Sequence, residues 1–462
     1  MKNYDVIWIG TGQATGTVVP RLTAAGKTVA LVEGGMVGGS CVNYGCTPTK
    51  TLVASARAAH MAQRGPEFGI EVGDFTINME TIMSRMNAMR DNSGMEQWLK
   101  TMDGADFYAE YAHFVSDREV QVGDDVISGD TIVIHTGTRS LKVPIEGIDD
   151  VDWLDNAGLL DLTEVPDHLV IVGGSYVGLE FGQIFRRFGA EVTVIEAADQ
   201  LMPLEDADIA EAAKEILAGG GITVRTGAKV ESVSQPDAGK VEVTCSFDGS
   251  TETISGSHLL LAAGRIPNSD ALKLEAAGVV ANERGYITVD DELHTNVEHI
   301  YAVGDVNGRG AFTHTSVNDG ETFWDHYATV HGLDNAGDRT LAGRIPIYAM
   351  YIDPPLGRIG MSEREARESG RNVLMATRAM TGISRAREKG ETEGLVKLIV
   401  DADTEEFLGV TILGVGGDEV INIFAPFMYT KQSYKDFRKS VFTHPTVGEL
   451  LPWILDDLAP LS

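Results

Sequence analysis

YDVIWIGTGQATG, residues 4–16, is an apolar run that ends in a glycine-rich turn, and HLVIVGGSYVG, residues 168–178, repeats that order. A helix-like segment and a second apolar run follow each turn, and the second run closes on an acid, in KTVALVE and in EVTVIE. This order predicts one strand–turn–helix–strand unit used twice. Glycines in such a unit let the backbone approach a pyrophosphate at the helix N-terminus, while the terminal acid bonds ribose hydroxyls. The sequence therefore predicts an α/β fold with two dinucleotide-binding domains.

The first glycine turn departs from the full G-x-G-x-x-G pattern at its last position. Gly10 and Gly12 are followed by Thr15 where the third glycine would stand, and Gly16 comes one place late. A glycine turn between a strand and a helix is also common without any ligand. Glu33 favours the nucleotide-binding interpretation, because it ends the next strand, where a ribose-binding acid is expected.

The second glycine turn departs from the pattern at its middle position. Ser175 stands there, between Gly173 and Gly178. Glu196 ends the next strand in the same way as the acid of the first copy. Two turns that both lead to an acid are stronger evidence than one turn alone, so we expect both to bind dinucleotides.

Charge and hydropathy argue against two classes of partner. The 462 residues include 68 acidic and 37 basic side chains, a net charge of −31, which repels phosphate backbones and anionic membranes. No apolar run approaches the roughly 18 residues of a membrane span. We therefore expect no nucleic-acid and no membrane partner. The chain enters a strand without a basic or apolar signal region and has only three cysteines, which favours a reducing, cytoplasmic location.

Cys41 and Cys46 lie in GGSCVNYGCTPTK, residues 38–50, and three interpretations are open: a metal site, a disulfide or two inert cysteines. Structural zinc normally needs four Cys or His ligands, and the sequence has no second closely spaced pair, so we expect no metal site. A disulfide needs an irregular turn, because residues five apart on a regular helix lie about 8–9 Å apart and bridging fails beyond about 7 Å. Gly45 and Pro48 are placed to provide that turn. Two inert buried cysteines are the third alternative.

The remaining regions differ in their patterns. Helix-like sequence covers 48–64 and 78–101, and β-rich sequence follows around 106–143. Residues 222–262 alternate as strands. Residues 344–462 combine short apolar strands such as LVKLIV with helix-like stretches, which predicts a separate α+β domain.

Four segments resemble one family, in that family's order along the chain. GGSCVNYGCTPTK is similar to the redox-active segment of the flavoprotein disulfide reductases, the family of dihydrolipoamide dehydrogenase, glutathione reductase and mercuric reductase. The other three segments resemble further motifs of the family: AAGRIPN at 262–268, HTNVEHIYAVGDV at 294–306 and FTHPTVGEL at 442–450. The chain is identified by this resemblance as a member of the family.

The resemblance implies three domains. Residues 1–148 and 265–335 would bind FAD, and residues 149–264 would bind NAD(P)H, each with a Rossmann-like fold. Residues 336–462 would form a C-terminal α+β dimerisation domain.

Several residues would hold FAD by this resemblance. Gly10, Gly12 and Glu33 would lie at its adenosine end, and Asp305 would bond its ribitol chain. Gly39, in the redox segment, belongs to the same set of cofactor-binding residues.

Further residues would lie near the flavin and the nucleotide, as their counterparts do in the family. Lys50 would lie beside the flavin and pair with Glu180, which stabilises the charge gained on reduction. Gly264, in AAGRIPN, is a further cofactor-binding residue by this resemblance.

The resemblance places the nicotinamide nucleotide at the second glycine turn, on Gly173, Ser175, Gly178 and Glu196. Tyr176 matches a tyrosine that shields the flavin until nicotinamide displaces it. A carboxylate bonds ribose hydroxyls and repels a 2′-phosphate, so the acid favours NADH, with NADPH as the alternative.

The redox chemistry is likewise implied by the family. Electrons would pass from the nucleotide through FAD to a Cys41–Cys46 disulfide, which opens through Cys46 and leaves Cys41 as the outward nucleophile. His444, oriented by Glu449, would act as the base, and the His444–Pro445 bond is expected to be cis. In the family this pair comes from the partner subunit, which implies a homodimer.

Two longer phrases resemble the mercuric-reductase-like branch, which includes the reactive-chlorine-resistance flavin reductases: IDPPLGRIGMSEREARESG at 352–370 and GISRAREKGETEGLVKLIV at 382–400. This likeness implies a small oxidised acceptor, either a disulfide or a thiol-reactive metal ion such as Cu²⁺ or Hg²⁺. No cysteine follows Cys245, so the C-terminal cysteine pair of mercuric reductases is missing, and Cys245 itself is expected to face a strand interior. A lipoamide dehydrogenase subunit of a 2-oxoacid complex is the alternative. A non-enzymatic flavoprotein is a third interpretation. The intact residues Cys41, Cys46, His444 and Glu449 argue against it.

Overall fold

The computed structural model describes residues 1–461 and divides the chain into two compact units. Met1–Thr51, Met83–Leu141 and Gly264–Arg344 form the first unit. Leu52–Ile82, Lys142–Ala263 and the described part of the chain from Ile345 onward form the second. The division into three domains stays a prediction.

A seven-stranded sheet forms the core of the first unit. Lys2–Ile9 pairs in parallel with Val29–Val32 on one side and with Asp125–Ile134 on the other. Every residue of Val29–Val32 is buried, as expected for a parallel strand that is covered on both faces. Four further strands complete the sheet, two parallel (Ala105–Tyr108 and Ile300–Ala302) and two antiparallel (Ala112–Phe114 and Glu119–Val122). The first predicted repeat is therefore present as two parallel strands joined by a helix.

Helices and a small sheet complete the first unit. Its α-helices are Thr15–Ala24, Gly39–Asn43, Ser93–Lys100, Leu274–Ala277 and Thr313–Val330. Its short 3₁₀ turns are Asp270–Leu272, Gly304–Asn307 and Leu341–Gly343. Thr138–Ser140 pairs with Arg265–Pro267 in the small antiparallel sheet. The helices Cys46–Gln63 and Met79–Arg90 each begin in one unit and end in the other.

A five-stranded parallel sheet in the second unit contains the second repeat. His168–Val172 pairs with Glu191–Ile195 on one side and with His258–Leu261 on the other. Thr223–Arg225 and Trp153–Leu154 form the two edges. Parallel neighbours and buried apolar strands confirm the predicted α/β class.

Two antiparallel sheets account for most of the other strands of the second unit. One has three strands, Lys229–Asp237, Lys240–Phe247 and Ser250–Gly256. Cys245 lies in its middle strand and is fully buried, as predicted. The other has six, in the order Ile347–Met350, Leu356–Gly360, Phe407–Leu413, Leu395–Asp401, Val373–Ala379 and Ala459–Pro460. Helices beside this last sheet give the predicted α+β character of the C-terminal region.

The helices of the second unit are mostly short. The two longest that lie wholly within it are Tyr176–Phe188, which follows the second glycine turn, and Ala207–Gly219. The other α-helices are Asn156–Leu159, Glu363–Glu368, Ser384–Glu388, Gly417–Val420, Phe424–Tyr429, Tyr434–Lys439 and Leu451–Ile454. The 3₁₀ turns are Gly65–Phe68, Ile148–Asp150, Met380–Gly382, Ile421–Ile423, Gly448–Leu450 and Leu455–Asp457. Among residues 1–461, no helix has the length and apolar character that crossing a membrane requires.

Candidate active site

The two cysteines of the redox segment lie at a break between two helices. Cys41 is in the short helix Gly39–Asn43, and Cys46 begins the helix Cys46–Gln63. A Cβ placed on Gly45, between them, would lie 3.0 Å from the carbonyl oxygen of Ser40, so the chain is tightly folded there. This is the irregular turn that the spacing requires, and the two side chains are hydrogen-bonded thiols in this structure.

The hydrogen bond between the two cysteines changes the acidity of the Cys41 thiol. The hydrogen bond to Cys46, and then burial, raise the pKa of the half-buried Cys41 thiol well above its usual range. The Thr313 side chain and the Lys50 charge act in the opposite direction. Cys46 is exposed, and its sulfur lies 3.4 Å from the Thr313 hydroxyl. The raised pKa favours the protonated form of Cys41, so this thiol needs a base before it can act as a thiolate.

His444 and Glu449 form the predicted hydrogen-bonded pair in the second unit. Nδ1 of His444 lies 2.9 and 3.0 Å from the two carboxylate oxygens of Glu449. The His444 side chain is 77% exposed and that of Glu449 only 13%. Because the carboxylate accepts the Nδ1 proton, the neutral ring presents Nε2 as its acceptor. The His444–Pro445 bond is cis, as predicted.

The first glycine turn is a cradle that side chains would fill. A Cβ placed on Gly10, which has a φ of +108°, would lie 2.2 Å from the carbonyl oxygen of His135. A Cβ on Gly39 would lie 2.8 Å from the Cα of Gly12, so the redox segment passes directly against the turn. Glu33 accepts hydrogen bonds from the Thr11 backbone at 2.9 Å and the Thr11 hydroxyl at 2.6 Å. Bare backbone beside an acid fits the adenosine and pyrophosphate of a dinucleotide.

Asp305 lies in the turn Gly304–Asn307, at the end of the strand Ile300–Ala302. The Thr138 hydroxyl donates to its carboxylate at 3.1 Å. Burial raises the pKa of Asp305, and the Arg265 charge opposes that effect. A half-buried carboxylate of this kind fits a polyhydroxyl chain such as the ribitol of FAD, because the hydroxyls can supply further hydrogen bonds.

The second glycine turn has the same two features, glycines that leave no room for a Cβ and an acid that accepts backbone hydrogen bonds. A Cβ on Gly173, at a φ of +117°, would lie 2.5 Å from the carbonyl oxygen of Ala262, and a Cβ on Gly178 would lie 2.2 Å from that of Gly173. Glu196 accepts from the backbone of Gly174 at 2.6 Å and of Ala198 at 2.8 Å. The residues of this turn therefore also fit a dinucleotide.

The remaining predicted residues have defined positions. Ser175 precedes the helix that Tyr176 begins, and Gly264, at a φ of +133°, lies in the first unit and accepts from the Leu141 backbone at 3.0 Å. Glu180 is buried and accepts from the Tyr351 backbone at 2.8 Å. Lys50 lies in the first unit and Glu180 in the second, and their pairing stays a prediction.

Two contributors to the site were missed by the sequence analysis. Thr313 lies beside Cys46 but is distant from it in the chain, and its only signal was its position shortly after the 294–306 motif. His135 forms a wall of the first glycine turn, and nothing in its flanking sequence indicates that role.

Comparisons with known proteins agree with this arrangement. Residues 4–320 match the family model described as pyridine nucleotide-disulphide oxidoreductase, and residues 347–455 match the dimerisation domain of that family. The chain is 36% identical to the probable pyridine nucleotide-disulfide oxidoreductase RclA of Escherichia coli, with 98% of each chain covered. A mercuric reductase of Bacillus cereus is 31% identical, with 97% of this chain and 70% of that protein covered. A dihydrolipoyl dehydrogenase of Thermus scotoductus is 31% identical, with 97% and 96% covered.

A solved structure gives the same result. The Cu(II) complex of the HOCl-induced flavoprotein disulfide reductase RclA from E. coli superimposes with a TM-score of 0.86 at 35% identity. The superposition covers 98% of this chain and 99% of that one. These matches confirm the predicted family, the fold, and FAD and NAD(P)H as cofactors.

Gly178→Ala should weaken NADH binding by about tenfold or more, because the new methyl group would overlap the Gly173 carbonyl and displace the turn. The measurement is the dissociation constant for NADH. Gly219→Ala is the matched control, since a Cβ there meets nothing within 4 Å and should leave the constant unchanged. Wild-type affinity in Gly178→Ala would contradict the assignment of this turn to the nucleotide.

Proposed function

We propose, from the chain's membership of the pyridine nucleotide-disulphide oxidoreductase family, that it reduces a small oxidised acceptor through Cys41 and Cys46. The chain is an NAD(P)H-dependent flavoprotein disulfide reductase that uses FAD. The proposed acceptor is a disulfide or a thiol-reactive metal ion such as Cu²⁺ or Hg²⁺. The observation that carries this proposal is the hydrogen-bonded cysteine pair at the break between two helices.

FAD, which Gly10, Gly12, Glu33 and Asp305 would hold, would supply the cysteine pair with two electrons that come from NAD(P)H. The chain's own residues then distribute protons between the two sulfurs. We propose that Cys46, beside the Thr313 hydroxyl, holds the first thiolate, because the hydrogen bond between the two cysteines raises the pKa of Cys41. A thiol is a poor nucleophile, so Cys41 requires a base.

His444 is the proposed base, supplied by the partner subunit of a homodimer. Glu449 holds its Nδ1 proton, which leaves Nε2 able to take the proton of Cys41. The dimerisation-domain match over residues 347–455 supports a dimer, and it includes both residues of the pair.

Reduction of a disulfide acceptor then balances in two steps. The Cys41 thiolate attacks one acceptor sulfur and forms a mixed disulfide, and the other acceptor sulfur leaves with the proton from His444. The Cys46 thiolate then attacks the Cys41 sulfur, which restores the internal disulfide and releases the second acceptor thiolate. A metal ion accepts electrons from the thiolates and has no leaving sulfur to protonate.

Glu196 is proposed to favour NADH over NADPH. Both of its carboxylate oxygens accept backbone hydrogen bonds, which hold the charge in place at the end of its strand. A fixed negative charge there repels a 2′-phosphate and can bond ribose hydroxyls. We also propose a cytoplasmic, reducing location, because the chain has only three cysteines and Cys245 is a buried thiol.

The second candidate function is that of a lipoamide dehydrogenase subunit of a 2-oxoacid dehydrogenase complex. It rests on the match to the dihydrolipoyl dehydrogenase of T. scotoductus, which is less similar than the RclA match, at 31% against 36% identity. This function would require rapid turnover of lipoamide and co-purification with the complex.

Cys41→Ser should abolish acceptor turnover and leave anaerobic reduction of the bound FAD by NADH intact, because only the outward nucleophile is lost. Turnover is measured with lipoamide, glutathione disulfide, Cu²⁺ and Hg²⁺ in turn. Cys245→Ser is the matched control and should retain turnover, since that thiol is buried among strands of the second unit. Acceptor turnover that persists in Cys41→Ser would show that acceptors meet the flavin directly, and an absence of NADH oxidation with every acceptor in the wild type would favour the non-enzymatic reading.

His444→Ala should slow disulfide reduction by about 10²-fold to 10⁴-fold, the usual range for loss of a general acid–base group. Metal-ion reduction also needs the Cys41 proton removed, so it should fall too, but by less, because no leaving thiolate needs a proton. The comparison is kcat for a disulfide and for Cu²⁺ in the same variant. Equal losses with the two acceptors would contradict the role of His444 in protonating the leaving sulfur.

A further inference from the structure

Thr15 stands at the position of the third glycine of the first turn, and the structure shows how a side chain fits there. In the second turn a Cβ on the corresponding Gly178 would lie 2.2 Å from the carbonyl oxygen of Gly173. Thr15 is buried, and its hydroxyl donates to the corresponding carbonyl of Gly10 at 3.2 Å. Gly16 does not take over the missing role, because it is exposed and a Cβ there would meet nothing within 4 Å.

Two buried rings surround the Thr15 hydroxyl. Nε1 of Trp8, a residue with no exposed surface, donates to Thr15 Oγ1 at 2.9 Å. Nδ1 of His135 lies 3.4 Å from the same oxygen. The two rings pack edge to face, with centroids 5.7 Å apart.

His135 joins this group to the turn that carries Asp305. Its Nε2 lies 3.0 Å from the Ser316 hydroxyl, in the helix Thr313–Val330. Its ring would lie 2.8 Å from a Cβ on Gly12 and 3.1 Å from a Cβ on Gly304. The imidazole therefore lies in contact with both backbone turns that the proposed function assigns to FAD.

Hydrogen bonding in the group is complete when His135 is neutral. Because Thr15 donates to Gly10, Nδ1 of His135 is the donor to Thr15, and Nε2 accepts from the Ser316 hydroxyl. Burial lowers the pKa of His135 to about 4, which keeps the ring neutral at neutral pH.

We propose that Trp8, Thr15, His135 and Ser316, named here the turn cluster, position the first glycine turn and the Gly304 turn for FAD. They act in place of the close helix-to-strand packing that a third glycine allows. This inference rests on the proposed function, in which these two turns bind FAD. The four residues are positioning residues and are assigned no contact with FAD.

The physical basis is preorganisation of a flexible segment. Glycine turns lose much conformational entropy when they bind a ligand, so contacts that order the turn beforehand strengthen binding. Removal of the Thr15 hydroxyl would leave the buried Trp8 N–H without its acceptor and release the Gly10 carbonyl. The cost should therefore be observed in FAD affinity and not only in folding.

The test compares substitutions that keep or remove one hydroxyl. Thr15→Val preserves the volume and should weaken FAD binding by about tenfold, whereas Thr15→Ser keeps the hydroxyl and should bind FAD like the wild type. Thr322→Val is the matched control, because Thr322 is buried in the same helix as Ser316 and its hydroxyl has no hydrogen-bond partner in the described structure. FAD affinity is measured by quenching of flavin fluorescence on the full-length apoprotein, with urea unfolding of each apoprotein in parallel.

Ser316→Ala is a second, independent test of the turn cluster if Thr15→Val fails to fold. It removes the donor to His135 Nε2 and should weaken FAD binding by about threefold to tenfold. In Thr15→Val with Ser316→Ala the losses should combine to less than their product, because both act through His135.

Two results would overturn the turn cluster. One is wild-type FAD affinity in both Thr15→Val and Ser316→Ala, and the other is an equal loss in Thr322→Val. A wild-type protein that binds FAD but reduces no acceptor would refute the proposed function and leave the cluster standing, while a wild-type protein that binds no FAD would end both.

Discussion

Cys41 can attack an acceptor only after it loses a proton, and its hydrogen bond with Cys46 raises the pKa of that thiol. The rest of the proposed reaction follows from this constraint. A base outside the redox segment is required, and His444, with its Nδ1 proton held by Glu449, has the free Nε2 that the task needs. The exposure of His444 is then an advantage, because the ring has to reach a sulfur of another subunit in the proposed dimer.

Both proposed cofactor sites depend on backbone that carries no side chain. Gly10 and Gly173 have positive φ angles, and each lies so close to a neighbouring carbonyl that a Cβ has no room. The two turns differ at the position of the third glycine. Gly178 packs against backbone in the second turn, whereas the Thr15 hydroxyl is hydrogen-bonded to backbone in the first. The same chain therefore shows two ways to hold a helix against a strand at a proposed dinucleotide-binding turn.

The sequence alone was informative wherever the chemistry is local. The repeated strand and glycine turn predict the parallel strands of both sheets, and the spacing around Gly45 predicts the break that the cysteines need. His444 and Glu449 are only five residues apart, so the sequence alone could indicate that they form a pair. The contacts of His135 with Thr15 and Ser316 span 120 and 181 residues, and no local pattern indicates partners that only the folded sheet brings together. Sequence patterns also do not identify the electron acceptor, because the choice of acceptor depends on the shape and charge of a cleft.

The most direct test of the central claim is a count of reactive thiols in the unfolded protein before and after anaerobic reduction by NADH. The chain has three cysteines, of which only Cys245 should react in the oxidised protein, whereas all three should react after reduction. Three reactive thiols before reduction, or a single one after the flavin has been reduced, would contradict a reversible disulfide between Cys41 and Cys46.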